Sequence, residues 1–94
     1  MEYGHYHPKQ CHVIRADDGE EIIEAVKKVV EETGMPGGVI VSLAGAVEDP
    51  VIINPAGDGK KPEPVETRLK GIMEIVGNGN IALDDEGRPV IHLH

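Results

Sequence analysis

Ninety-four residues with a formal net charge of −8, two tyrosines and neither phenylalanine nor tryptophan limit this chain to one small domain with an aliphatic core. A monomer of this size buries only about two-thirds of its unfolded surface, so contact with another copy is expected to add to its core. Nine basic side chains against seventeen acidic ones are the wrong balance for gripping nucleic acid by phosphate neutralisation.

The single cysteine, Cys11, rules out an internal disulfide and fits a reducing compartment. No apolar run approaches the roughly 18 residues of a membrane helix. The opening MEYGHYHPKQ lacks the basic-then-apolar order of a signal peptide. The expectation is therefore a cytoplasmic protein with no membrane partner.

Residues 1–10 read as a loosely attached N-terminal segment, or else as a short strand at Gly4–His7 with its own His-x-His. Cys11–Ala16 alternates well enough for a strand and opens the domain proper, residues 11–94. Asp18 is the expected helix N-cap, with Glu21 three residues on completing a capping box. Ile22, Val26, Val29 and Val30 then form one apolar stripe. Gly34 is the expected left-handed stop, followed by Pro36. No chemistry is assigned to this helix.

Gly38–Ala44 is a near-continuous, β-branched run and reads as a buried strand. Glu48-Asp49-Pro50 is a turn and Val51–Ile53 a second strand. Asn54–Pro64, rich in proline and glycine, is expected to be an irregular surface loop. Its Lys60-Lys61 is read as a solvated pair. Val65–Lys70 follows as an exposed strand, with Glu66 and Arg68 on one face.

The last stretch, Gly71–His94, reads as three extended runs: Ile72–Val76, Asn80–Leu83 and Pro89–His94. Gly77-Asn78-Gly79 and Asp84–Gly87 are the expected turns between them. The glycine turn has neither the lysine nor the helix start that a phosphate cradle needs. In a strand, His92 and His94 project on one face and Leu93 on the other, towards a core. Two imidazoles so placed can converge on a metal ion, although His-x-His also arises often by chance.

Met73-Glu74-Ile75, Gly79–Leu83 and Pro89–His94, in that order and spacing, resemble the plant and prokaryote conserved domain family. With the helix and strands before them, the likeness covers roughly residues 11–94. The resemblance implies an α/β (α+β) fold: a mixed, mostly antiparallel sheet packed with one main helix, with Gly45 at a turn between strands. It also implies a homo-oligomer, a trimer, and a metal, zinc, bound through His92 and His94.

In that family a third histidine follows one strand later, whereas this sequence stops at His94. Three accounts are open. The chain is a fragment, it is a shortened member that has lost the site, or its N-terminal segment supplies the missing strand. The third account, our working hypothesis, makes His5 the third ligand, with His7 or His12 nearby.

The resemblance carries a DNA-associated or regulatory role. The basic hook through which plant members contact DNA is absent, and the acidic charge argues against direct binding. The leading expectation is thus a metal-binding oligomeric module. The alternative is a zinc-dependent enzyme acting on a small molecule at a subunit interface, with Glu74 as its best-placed general base. Asn80 is read as bracing a strand edge rather than binding substrate. No catalytic residue is assigned.

Overall fold

A computed structural model describes residues 1–56 and 63–94. The expected Lys60-Lys61 pair lies outside them. The elements are α1 (Ile22–Thr33), β1 (Gly38–Glu48), β2 (Val51–Ala56), β3 (Glu63–Arg68), β4 (Ile72–Leu83) and β5 (Pro89–Leu93). One helix and two antiparallel sheets make an α+β fold, with strand orders β1-β4-β5 and β2-β3.

The helix starts later than the sequence suggests. Gly19 turns left-handed at φ 89°, and the Glu20 amide donates to the Asp17 carbonyl at 3.0 Å. Asp17–Glu20 is therefore a closed turn, which a helix capped by Asp18 cannot contain. Glu21 caps instead, its carboxylate accepting from the Glu24 amide at 2.7 Å. The far end is as expected: Gly34 is left-handed at φ 67° and its amide returns to the Val30 carbonyl. On the apolar stripe Val26 and Val30 are buried, at 8% and 2% exposure, while Ile22 and Val29 are half-buried. The helix lies against β5.

β1 and β4 pair from Gly38↔Ile81 to Glu48↔Ile72, with one irregularity between Ile40 and Leu43. There Val41 and Ser42 both oppose Asn78, a bulge that keeps the same residues facing inward on either side of it. β1 runs on through Gly45, so no turn lies there; the chain kinks at Asp49 (φ 50°) and Pro50 and continues in the same direction into β2.

Gly77-Asn78-Gly79, expected as a turn, lies inside the continuous strand β4. The reason is steric. A methyl group at Gly77 would overlap the His94 carbonyl, and one at Gly79 the His92 carbonyl. These glycines let β5 approach β4 closely, which is the second physical use of glycine within a strand. The turn at Asp84–Gly87 is present, with Asp84 Oδ1 accepting from the amides of Glu86 and Arg88 at 2.9 Å each.

β2 and β3 prolong the same ribbon beyond a kink. The Asp49 amide donates to the Gly71 carbonyl at 3.0 Å, and the Gly71 amide to Asp49 Oδ1 at 2.7 Å. The expected loop Asn54–Pro64 is shorter than the composition suggests, since Asn54–Ala56 and Glu63–Pro64 are in strands. Pro55 stands opposite Pro64, a place on a two-stranded ribbon where neither missing N–H leaves a central ladder broken. Val65–Arg68 is exposed as expected, and Glu66 meets Arg68 at 3.6 Å.

Cys11–Ala16 is not a strand, and neither is Gly4–His7. Among the described residues no backbone hydrogen bond involves positions 1–16, and all of them are exposed. A strand needs a neighbour to pair with, and alternation alone supplies none.

Candidate metal centre

The alternation of β4 and β5 sorts their side chains onto two faces. Inward go Ile75, Ile81, Ile91 and Leu93, all half-buried, whereas Glu74, Asn78, Asn80, His92 and His94 face outward and are exposed. Leu93 thus points inward as the sequence suggests, and both histidines share the outer face.

The register places His92 opposite Asn80. His94 is opposite Asn78, and the two exchange both backbone hydrogen bonds at 3.0 and 2.7 Å. The terminal histidine is therefore held by a ladder pair. The two imidazoles stack, with centroids 4.6 Å apart and planes 17° from parallel. A tetrahedral zinc wants two nitrogens ~3.3 Å apart with both in-plane lone pairs aimed at one point; nearly parallel rings do not aim so, and each must turn about its side-chain bonds to share an ion.

Two imidazoles fit half of a zinc site. Among the described residues no group of three or more His, Cys, Asp or Glu comes together. His5 therefore does not join His92 and His94 within one chain, and neither His7 nor His12 does. His5 and His7 are exposed in the N-terminal segment. His12 touches Gln10, with Nε2 3.2 Å from Oε1.

Glu74 shares the outer face but stands four residues along β4 from Asn78, the partner of His94. That is roughly 13 Å at strand rise, beyond hydrogen-bond reach of anything held between the two rings. Glu74 lines a separate shallow depression with Ala44, Gly45, Ala46, Ile75 and Val76. Asn80 sits between Val39 on β1 and His92 on β5.

The surroundings of the pair were not evident from the histidine motif. Val39, Val41, Ile72, Val76 and Val90 are 73%, 85%, 78%, 84% and 50% exposed, and β4 carries the polar row between them. The alternation signal was in the sequence, but reading β4 as two runs broke it at the glycines.

A comparison with family models identifies the family of this antiparallel α+β chain. The Plants and Prokaryotes Conserved (PCC) domain matches residues 3–94, and the chain belongs to that family. The match takes in most of the N-terminal segment as well as the folded body. No curated protein matches the chain, and no solved structure does. No helix among the described residues is long and apolar enough to cross a membrane.

Proposed function

We propose that this domain is a metal-binding, self-associating module in which His92 and His94 are two of the ligands of a zinc ion, the remaining donors coming from a second copy. The observation that carries this reading is the stacked imidazole pair on a face that also exposes Val39, Val41, Ile72, Val76 and Val90. Contiguous exposed apolar surface marks an interaction site, and covering it with another copy takes the histidines out of bulk water and brings further side chains to them. In such a site zinc supplies a cross-link between chains. This chain's part is to hold two neutral imidazoles at fixed spacing through the Asn78–His94 and Asn80–His92 pairs. The family's trimer is the assembly proposed. A DNA-associated or regulatory role would run through a basic partner, because this chain is acidic.

Zinc titration followed by native mass spectrometry tests the proposal. The wild-type chain is expected to bind zinc with fewer than one ion per subunit or one at each interface, and His92→Ala with His94→Ala to abolish binding. His5→Ala is expected to weaken it if the N-terminal segment donates that ligand. Equal affinity in His5→Ala and wild type removes His5 from the site. Undiminished zinc binding in the double variant sinks the whole reading.

A further inference from the structure

Among the described residues nothing pairs with the N-terminal segment or with the outer edge of β5. β5 is the last strand of its sheet. Since Asn78 and His94 exchange both backbone hydrogen bonds, antiparallel alternation turns the amides and carbonyls of Val90 and His92 towards β4 as well. Those of Ile91 and Leu93 are left facing the free edge. The segment is not a strand; its side-chain hydrogen bonds are local, Gln10–His12 at 3.2 Å and Arg15–Asp17 at 3.1 Å. Val13 is fully exposed and Ile14 is 40% exposed.

We propose that Cys11–Arg15 of a second copy of this chain adds to the free edge of β5 as an antiparallel strand, with Val13 opposite Ile91. In that register four of the five pairs match in kind. Cys11 falls opposite Leu93 and Val13 opposite Ile91 on the apolar inner face. His12 falls opposite His92 and Ile14 opposite Val90 on the outer face. Arg15 falls opposite Pro89, beside the acidic turn of Asp84, Asp85 and Glu86. A shift by one residue would set His12 opposite Ile91 and send Val13 outward, so the register is defined by the pattern. Pro89, which has no N–H, stands at the end of the ladder, where a missing donor matters least.

Charge favours the same partner. Residues 1–16 carry two basic and one acidic side chain, while the remaining residues carry seven and sixteen. The segment of one copy is thus attracted to the body of another. Its own body is the less accessible acceptor. The Asp17–Glu20 turn is closed by the Glu20 amide on the Asp17 carbonyl, the Asp17 amide on Glu20 Oε1 at 2.9 Å and the Arg15–Asp17 ion pair. In the single chain Val13 stands in water. The ladder forms without metal, so it goes beyond the zinc reading. It also places His12 as the nearest imidazole of a second copy to His92.

Cys11 is the chain's only cysteine and is exposed, so disulfide trapping reads the register directly. Residues opposite one another in such a ladder lie ~5.5 Å apart at Cα, within disulfide range. Leu93→Cys, oxidised in the presence of a chelator, is expected to give covalent dimers or larger chains on a non-reducing gel. Val90→Cys, three residues away and on the opposite face, is expected to give far less. A cross-link confined to the monomer band would show that the segment folds onto its own sheet. That result overturns the proposal, as does no cross-link or equal trapping at the two positions. Val13→Pro supplies a test that leaves the monomer's packing untouched, because Val13 touches solvent only. It removes one ladder donor and is expected to weaken self-association about tenfold in sedimentation without metal. Unchanged association there also overturns the proposal, whatever the zinc titration shows.

Discussion

Two glycines do more for the histidine pair than any polar side chain. Gly77 and Gly79 face the backbone of β5, and a Cβ at either position would collide with the carbonyls of His94 and His92. Backbone cannot swing aside as a side chain can, so Gly79→Ala must push β5 away from β4. Overpacking of this kind costs about 1–3 kcal/mol. The expected outcome is a lower melting temperature together with loss of zinc affinity, read by thermal unfolding and titration of the same variant. Wild-type stability would show that β5 does not lie this close. Val30, 2% exposed, is the most buried side chain described. Val30→Ala removes two buried methyl groups and should cost about 2 kcal/mol, measured by urea unfolding.

At the scale of elements, helix capping separates two readings of one acidic run. Asp18 and Glu21 are both placed for a cap by sequence, but only Glu21 accepts from an amide of the first turn, that of Glu24 at 2.7 Å. Glu21→Ala should therefore destabilise the domain by about 1 kcal/mol, whereas Asp18→Ala should change stability little. Equal effects in chemical denaturation would return the helix start to Asp18. The β2-β3 ribbon shows the opposite balance. Its strands pair only with each other, and Val51, Ile52, Ile53 and Val65 are 40–63% exposed. A two-stranded ribbon is marginal in water without a further surface to pack on. Here it is anchored at its base by the reciprocal Asp49–Gly71 hydrogen bonds.

Among the described residues of the molecule only Val26 and Val30 are buried, so the core is thin and the apolar side chains of the outer face remain in water. Association is the way a chain of this length can gain the burial it lacks. Val76→Asp, at a site 84% exposed in the single chain, should leave the fold intact and lower the assembly's mass in light scattering. An unchanged mass would show that this face is not an interface. The acidic charge makes a second molecular prediction. Direct DNA affinity should be undetectable at physiological salt in a filter or anisotropy assay, and tight, salt-sensitive binding would contradict it.

How much of this was legible beforehand divides along one physical line. Periodicity and local stereochemistry act within a few residues. The sequence by itself therefore determined the helix stripe of Val26 and Val30, the left-handed stop at Gly34, the Asp84–Gly87 turn, the shared face of His92 and His94, and the family. What depended on contact between distant segments was decided by tertiary structure alone. Gly77-Asn78-Gly79 carries the composition of a turn, but its glycines are needed for the approach of β5, which no local pattern reveals. Cys11–Ala16 has the alternation of a strand and no pairing neighbour among the described residues of its own chain. Asp18 loses the cap because Gly19 turns the backbone. His5 was joined to the pair by likeness to the family's glycine-histidine ligand, and among the described residues of a single chain no group of three such donors comes together, since three donors can meet only where the backbone carries them.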